Sequence, residues 1–331
     1  MMWKRFLTVA FLGCLVAGAI SESSAAEKVK FALDWVIAGR HAGYYVALEQ
    51  GFWKEKGLDV EISRGFGSID TVKRVISKVT DVGFADAATM ILARSNGAKL
   101  KMLSVFYSKA PFVVISWADS NIRTPKDLEG KTIGEAAASA GRTVFPVLAK
   151  INGVDLSKIK WQNVEPASKN PSLIARKVDA ILQYGFEKRY FDELTKQGKG
   201  NYRGWYYADF GLQMYGPGLI SRDAVLSARP DVVRAFTEGA ARGYAFVLAR
   251  PQEAAAIFSK YQPLIARASI LQDFDVLKEL VMTPEAVANG PGWMTEEKIK
   301  KTRDIICETT GCKEVPAVSD IYTNEFLPRK K

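Results

Sequence analysis

The sequence predicts an α/β protein of two lobes, with the second lobe inserted into the first. Its 331 residues are enough for two domains of ordinary size. Hydrophobic residues make up 48% of the chain and charged residues 25%, a balance typical of a globular protein with a large core. Short β-rich runs alternate with helical stretches as far as Tyr215, and the chain beyond it contains helical stretches alone.

The alternation occurs twice along the chain. The first unit has predicted strands at 29–33, 58–62, 82–84 and 100–106, with helices at 43–53, 68–77 and 87–95. The second unit has predicted strands at 112–117, 131–134, 160–164, 178–182 and 205–207, a capped turn at 124–128, and helices at 141–151 and 187–197. Helices at 230–248, 251–261, 274–282 and 296–307 complete the chain.

This order of elements predicts where the lobes begin and end. We assign residues 27–114 and 218–331 to lobe one, and residues 115–217 to lobe two. The C-terminal helices then return to lobe one. We expect the two crossings between the lobes, near 112–117 and 216–221, to form a hinge.

The first 26 residues predict a secretory signal peptide that is cleaved after Ala26. A short basic start precedes an apolar run, and Ser24 and Ala26 occupy the −3 and −1 positions of a signal-peptidase site. Cys14 offers the alternative of a lipoprotein, but the apolar run continues beyond it. No later segment approaches the ~20 apolar residues of a transmembrane helix. We therefore expect a periplasmic protein.

Cys307 and Cys312 remain after removal of the signal peptide, and Gly311 lies between them. An exported location and a short loop favour a local disulfide, which would close the end of the last long helix. Two buried free thiols are the alternative. A redox-active pair fits less well because the spacing is not C-x-x-C.

The formal net charge of +10 could indicate a nucleic-acid partner, but lysines and arginines are scattered along the chain, with only a short basic tail at 329–331. Such scattering indicates a solvated surface, so we expect no nucleic-acid partner. One histidine and three cysteines are too few for a classical zinc site. We therefore expect no metal and no cofactor.

Candidate ligand contacts follow the predicted strands, because ligands in such sheets bind beyond the carboxyl ends of the strands. Aromatic residues at these positions would supply flat walls, and glycines, serines and helix N-termini would present backbone N–H groups. We select ten residues: Trp35, His41, Phe66, Gly67, Ser68, Asp86, Ser139, Gly141, Tyr184 and Glu187. His41 equally fits a structural histidine, and Asp34 and Asp86 equally fit backbone caps.

Several motifs carry a resemblance to a known family. They are Asp34-Trp35, His41-x-Gly43-x-Tyr45-Val46-Ala47, Gly51-Phe52-Trp53, Asp81-Val82-Gly83-Phe84-Ala85-Asp86 and Thr124-Pro125-Lys126-Asp127-Leu128. They resemble the sulfonate, nitrate and thiamine-pyrimidine-precursor binding proteins of ABC importers, a family that includes fungal thiamine-pyrimidine synthases. The resemblance extends over nearly the whole mature chain.

The resemblance implies a type II periplasmic binding protein that closes on a small-molecule solute and presents it, as a monomer, to a permease and ATPase. Trp35, His41 and the Gly67-Ser68 turn match the family's contacts in lobe one, and Ser139, Gly141 and Glu187 match more loosely in lobe two. A synthase would also need a reactive lysine and a cysteine cluster. The chain lacks that cluster, so we expect a binding protein and no enzyme.

Charge at the strand ends favours one class of solute. Asp34, Asp86 and Glu187 lie near strand ends, whereas only Arg40 and Arg142 could reach an anion. Carboxylates and aromatic walls suit a planar aminopyrimidine, while a sulfonate prefers an arginine fork. We therefore favour a thiamine pyrimidine precursor, with riboflavin and an organosulfonate or nitrate-type anion as alternatives.

Overall fold

The structure is a computed structural model that describes residues 26–328. The predicted signal sequence before its cleavage site, the alternative lipidation site Cys14 and the basic tail at 329–331 lie outside the described residues. Among the described residues, no helix is long and apolar enough to cross a membrane.

Ten strands and thirteen α-helices follow one another along this part of the chain. The strands are β1 (Glu27–Ala32), β2 (Leu58–Ser63), β3 (Val82–Asp86), β4 (Leu100–Ser104), β5 (Phe112–Trp117), β6 (Thr132–Glu135), β7 (Lys160–Asn163), β8 (Ala180–Tyr184), β9 (Tyr202–Tyr206) and β10 (Pro217–Arg222). The helices are α1 (Ala42–Glu49), α2 (Ser68–Ile76), α3 (Ala87–Ser95), α4 (Ala140–Ile151), α5 (Lys169–Ile174), α6 (Gly185–Lys196), α7 (Asp223–Ala228), α8 (Pro230–Ala249), α9 (Pro251–Tyr261), α10 (Arg267–Val281), α11 (Pro284–Asn289), α12 (Glu296–Thr310) and α13 (Val318–Ile321).

The strands form two five-stranded sheets, as the predicted two-lobed α/β fold requires. The first sheet has the order β2-β1-β3-β10-β4 and the second the order β7-β6-β8-β5-β9. In each sheet a single strand, β10 or β5, runs antiparallel to its neighbours. The carboxyl ends of the other four strands therefore meet at one edge of each sheet, where loops can build a site.

The two antiparallel strands adjoin the points at which the chain crosses between the sheets. Segments 112–117 and 216–221, near which the hinge was expected, lie almost entirely within β5 and β10, and hinge motion beside them stays a prediction. The crossings lie just before each strand and are hydrogen-bonded to each other. The N–H of Gly216 donates to the carbonyl of Tyr107 at 2.9 Å, and the N–H of Ala110 donates to Met214 at 2.9 Å. The predicted lobe boundaries at 114/115 and 217/218 stay predictions.

The C-terminal helices pack back on the first sheet. Helix α8 lies against α1 so closely that a Cβ built on Gly243 would meet the carbonyl oxygen of Gly43 at 2.0 Å. Trp53 stacks on Phe236 of α8, with ring centroids 5.0 Å apart, and its indole N–H donates to the Phe236 carbonyl at 2.9 Å. Burying these aromatic faces stabilises the return of the tail by several kcal/mol at order of magnitude.

The disulfide between Cys307 and Cys312 is present, as the sequence predicted. It closes the C-terminal end of α12, where Gly311 adopts a left-handed conformation. Helix α12 packs against both α3, which follows the first sheet's β3, and α4, which follows the second sheet's β6. The tail therefore touches both halves of the molecule, which the order of elements alone did not indicate.

Several elements differ from the sequence prediction. The short helices α5, α7, α11 and α13 were not predicted, because four to six residues are too few to show a helical pattern. Strand β10 was not predicted either, because its residues were assigned to the second crossing between the lobes. Strand β9 begins at Tyr202 rather than at the predicted residue 205. Helix α10 begins at Arg267, seven residues before the predicted start.

Candidate functional site

A cavity of about 400 Å³, including its opening to solvent, lies between the two sheets. The first-sheet wall consists of Asp34, Trp35, Arg40 and Ser68. The second-sheet wall consists of Glu135, Ser139, Ala140, Gly141, Lys169, Leu182, Gln183, Tyr184 and Glu187. Both walls are built from residues at or just beyond strand ends, as the fold dictates.

Asp34 is the buried carboxylate of the first-sheet wall, and His41 holds it in place. The ring nitrogen Nδ1 of His41 accepts the backbone N–H of Ala38 at 3.2 Å, so Nε2 carries the proton and donates to Asp34 Oδ1 at 2.9 Å. Burial, and then the nearby charge of Arg40, lower the pKa of His41 to about 4. His41 is therefore neutral at pH 7 and orients Asp34 without cancelling its charge.

Arg40 is the cation of the first-sheet wall. Its guanidinium lies over the rings of Tyr184 and Phe186, 5.6 and 5.9 Å from their centroids, so it reaches across to the second-sheet side. Burial disfavours its charge, but Asp34 and other nearby anionic groups outweigh this and raise the pKa of Arg40. The hydroxyl of Tyr107 donates to the Arg40 backbone carbonyl at 3.3 Å, and this hydrogen bond helps to fix the loop that contains Arg40.

Glu135 and Lys169 form a buried ion pair in the second-sheet wall. Glu135 ends β6, Lys169 begins α5, and Lys169 Nζ lies 2.6 Å from Glu135 Oε1. The same ammonium also donates to the carbonyl of Leu182. Burial raises the pKa of Glu135 and lowers that of Lys169, while each partner's charge opposes the shift of the other. The two charges largely cancel inside this wall.

Trp35 connects the two walls. It is half-buried, and Lys169 Nζ lies 5.0 Å from its ring centroid, within cation–π range. The Glu135–Lys169 ion pair of the second-sheet wall thus contacts the aromatic ring of Trp35 in the first-sheet wall. A solute entering here meets a flat apolar surface next to polar groups.

Glu187 supplies the third carboxylate, from the first turn of α6. Its Oε2 accepts Asn170 Nδ2 at 2.7 Å, and Asn170 Oδ1 accepts Gln183 Nε2 at 2.7 Å. This chain of amides fixes the carboxylate without giving it a positive partner. Tyr184, at the end of β8, is the second aromatic residue that lines the cavity.

Six of the ten predicted ligand-binding residues line the cavity: Trp35, Ser68, Ser139, Gly141, Tyr184 and Glu187. Ser68 is buried, and its Oγ accepts the backbone N–H of Asp86 at 3.0 Å. Ser139 caps α4 by accepting the N–H of Arg142 at 3.1 Å. The expectation that ligand contacts lie just beyond the strand ends (the strand-end rule) thus selected residues of both walls.

The other four predicted residues do not line the cavity. His41 is fully buried behind Asp34, and Phe66 is 42% exposed, with the Arg64 guanidinium 4.4 Å from its ring centroid. Gly67 contacts the opposite side of the cleft, where a Cβ built on it would meet the Ala138 carbonyl oxygen at 2.2 Å. Asp86 accepts N–H groups in the first turn of α3, and its burial raises its pKa to about 7.

Sequence reasoning left several wall residues out of the selected set. Glu135 directly follows a predicted strand, so the strand-end rule should have included it. Asp34, Arg40 and Gln183 also line the cavity, although none of them is among the ten selected residues. Lys169 had no pattern to reveal it, because it meets Glu135 only through the packing of an unpredicted short helix.

Among residues 26–328, no group of three or more histidine, cysteine, aspartate or glutamate side chains could hold a metal ion. The cavity walls carry carboxylate, amide, hydroxyl and backbone groups that can hydrogen-bond to an organic solute. The three wall carboxylates face two wall cations, with the single histidine neutral at pH 7.

The family described as NMT1/THI5 like matches this chain over residues 38–254, more than half of its length. The chain belongs to that family. The match confirms the resemblance seen in the motifs, and it includes every residue of the cavity walls except Asp34 and Trp35.

Several relatives and structural neighbours of this chain carry informative names. The formylaminopyrimidine-binding protein of Halalkalibacterium halodurans is 24% identical, over 86% of both chains. The riboflavin-binding protein RibY of Chloroflexus aurantiacus is 23% identical, over 91% of this chain and 86% of that protein. The alkanesulfonate-binding protein SsuA of Xanthomonas axonopodis pv. citri, solved with MOPS, superposes with a TM-score of 0.68 at 14% identity. It covers 92% of this chain and 100% of its own, and it confirms the periplasmic binding-protein fold.

Proposed function

We propose that this protein is a periplasmic substrate-binding protein that captures a planar heteroaromatic solute with N–H donors. A pyrimidine precursor of thiamine fits best. The proposal places the solute in the cavity between the sheets, so that only the six selected strand-end residues that line the walls remain proposed solute contacts. The names of the relatives from Halalkalibacterium halodurans and Chloroflexus aurantiacus support the class of solute.

The composition of the walls is the observation that carries this proposal. Asp34 and Glu187 are carboxylates held by neutral partners, His41 and Asn170, so both keep their acceptor character. Trp35 and Tyr184 supply aromatic surface beside them. A ring that bears amino groups would donate to the carboxylates and place its faces against the aromatic residues.

An organosulfonate or nitrate-type anion fits these walls less well. It would need free cationic donors, yet Lys169 is paired with Glu135 at 2.6 Å, and Arg40 lies close to Asp34 and Glu187. Because Lys169 neutralises Glu135, the carboxylates of Asp34 and Glu187 face one remaining cation, Arg40, and disfavour an anion. Riboflavin shares the planar face and the N–H donor, so it remains the second candidate, supported by the name of the Chloroflexus relative.

A synthase-like enzyme is not supported by the site. Such chemistry would need an accessible reactive histidine and lysine. The single histidine of the chain, His41, is fully buried with both ring nitrogens engaged, and Lys169 is buried against Glu135. Both residues are placed to hold other side chains rather than to react.

The proposal includes delivery of the solute, as a monomer, to the permease and ATPase of an ABC importer. It also includes lobe closure, because each sheet contributes part of the wall. Small-angle scattering with and without formylaminopyrimidine tests closure. We expect a smaller radius of gyration with the solute, and an unchanged radius at saturation would contradict the clamp.

Calorimetry with formylaminopyrimidine, riboflavin and taurine tests the class of solute. We expect binding of a heteroaromatic probe and a loss of ~1–3 kcal/mol in Glu187→Gln, since one acceptor becomes a donor. Glu193→Gln, on the same helix but absent from the cavity wall, is the matched control and should bind as the unaltered protein does. Tight taurine binding that Glu187→Gln leaves unchanged would overturn the proposal.

A further inference from the structure

We propose that the solute is selected by a donor–acceptor edge at the N-terminus of α4. There, Glu135 Oε2 accepts an N–H of the solute while backbone N–H groups of α4 donate to a neighbouring acceptor atom of the same solute. This subsite rests on the proposed function, and it specifies which chemical edge the solute must carry.

The first observation is that Glu135 is satisfied on one side only. Its Oε1 accepts the backbone N–H of Ala136 at 2.8 Å and the ammonium of Lys169 at 2.6 Å. Its Oε2 is buried and has no hydrogen-bond partner within 3.5 Å in the described part of the chain, although the nearby Ser139 hydroxyl also interacts with this carboxylate. Buried carboxylate oxygens rarely go without a donor, because the desolvation is then uncompensated. A bound solute can provide the missing donor.

The second observation places this oxygen beside free backbone donors. A Cβ built on Gly141 would lie 3.8 Å from Glu135 Oε2 and 3.8 Å from Ser139 Oγ, so the three groups surround one small space. The helix that starts here has twelve residues, and its cap satisfies the N–H of Arg142. The first-turn N–H groups of Ala140 and Gly141 have no acceptor within the helix and point toward its N-terminal end.

An acceptor next to two donors selects a solute with the complementary edge. The 4-amino group and ring nitrogen of an aminopyrimidine form such an edge, as do the ring N–H and carbonyl of a flavin. A sulfonate has no N–H, and its oxygens would face the carboxylate of Glu135 without a bridging proton. The subsite thus recognises a feature shared by both heteroaromatic candidates.

Glu135→Gln tests the subsite by reversing its polarity. Because Oε1 is held by two donors, the glutamine carbonyl should occupy that position and leave its NH₂ group facing the cavity. An acceptor is replaced by a donor with little change of shape. The variant should weaken binding of a 4-aminopyrimidine, because the amino N–H then faces another donor.

Gly141→Ala tests the same space without altering the ion pair. The added Cβ would lie 3.4 Å from Leu182 Cβ, an ordinary contact, and alanine suits a helix better than glycine does. The fold should therefore tolerate the change, while the methyl group crowds the position of the solute's N–H. If Glu135→Gln fails to fold, the effect of Gly141→Ala on binding decides whether the subsite exists.

The experiment is calorimetry on the unaltered protein and both variants. The probes are formylaminopyrimidine and its 4-dimethylamino analogue, which lacks the amino N–H, riboflavin and N3-methylriboflavin, and taurine. We expect the unaltered protein to prefer the N–H-bearing member of at least one pair by about 10- to 100-fold. Glu135→Gln should remove that preference, and Gly141→Ala should weaken binding of the preferred member about tenfold or more.

Each other outcome contradicts the subsite in a distinguishable way. If one heteroaromatic pair binds but neither variant changes affinity or preference, the subsite is wrong while the proposed function stands. If the unaltered protein binds both members of every heteroaromatic pair with equal affinity, the subsite is also wrong while the proposed function stands. Binding of taurine alone, or of no probe, overturns the proposed class of solute and the subsite with it.

Discussion

Each side of the cavity contains one buried carboxylate in a close pair, and the two pairs differ in charge. On the first-sheet wall, Asp34 is hydrogen-bonded to His41, which is neutral at pH 7. On the second-sheet wall, Glu135 is paired with the ammonium of Lys169. The first pair by itself carries a net negative charge, which Arg40 of the same wall opposes, whereas the second pair is neutral overall and leaves one oxygen as an acceptor.

The difference teaches that a carboxylate's partner decides what the carboxylate offers to a solute. A histidine that accepts a backbone N–H at Nδ1 can orient a carboxylate without neutralising it. A lysine neutralises its partner but depends on that partner for its own burial. The predictions below remove one member of each pair, or an aromatic residue nearby, and run from the largest expected effect to the smallest.

Lys169→Met should have the largest effect on stability. It leaves Glu135 buried without its cation, and breaking a buried pair in this way costs about 3–5 kcal/mol. Burial already raises the pKa of Glu135, so the loss should be greatest at high pH and smaller near pH 5, where the carboxyl can be protonated. Urea denaturation at both pH values measures it.

The double variant Lys169→Met with Glu135→Gln serves as the control, because it removes both charges together. It should recover most of the stability that the single variant loses. A single variant that is as stable as the unaltered protein at pH 8 would show that the pair contributes little to the fold.

His41→Gln should remove a pH-dependent part of the stability. The unfolded histidine takes up a proton below pH 6.5, whereas the folded one does so only near pH 4. The unaltered protein should therefore lose up to about 3 kcal/mol from this group as pH falls from 6.5 to 4, and the variant should lack that loss. Asp86 and Asp273, whose pKa values burial raises to about 7, act in the opposite direction in both proteins.

Nuclear magnetic resonance measures the same quantity directly. The chain has one histidine, so a tag-free protein gives a single imidazole signal to follow. We expect it to titrate near pH 4 and to show the Nε2–H tautomer. Titration well above pH 7 would mean that His41 is protonated at pH 7, so that the Asp34–His41 pair would be an ion pair like the Lys169–Glu135 pair and the contrast between the walls would fail.

Trp35→Ala should weaken binding of a heteroaromatic probe by ~1–3 kcal/mol, the range for stacking of a base on an aromatic side chain. Trp35 is only half-buried, so stability without solute should change less than in a core position. Trp117→Ala is matched, because Trp117 also lies under a cation, Arg176, at 3.9 Å, but away from the cavity. A large loss of stability with unchanged affinity would assign Trp35 to packing.

Phe66→Ala should have the smallest effect. The ring is 42% exposed and contacts Arg64 rather than the cavity, so its loss should cost about 0.5 kcal/mol of stability and leave affinity unchanged. Calorimetry measures the affinity, and thermal melting measures the stability. A loss of affinity as large as that of Trp35→Ala would restore Phe66 to the binding wall and extend the cavity toward that loop.

The sequence by itself determined the fold class, the family and the edge of each sheet at which the cavity lies. Alternating β-rich and helical runs show in local composition, and six of ten strand-end residues line the walls. The disulfide also followed from spacing, because its partners are only five residues apart. These features depend on neighbours along the chain, which a sequence displays directly.

Only the tertiary structure decided which strand-end residues face the cavity and which hold them from behind. His41 and Asp34 occupy the same loop, yet packing places one behind the other. Lys169 reaches Glu135 from 34 residues away through a helix too short to show a pattern. Burial and the nearest charged group set the ionisation of such residues, and both depend on contacts made across the fold.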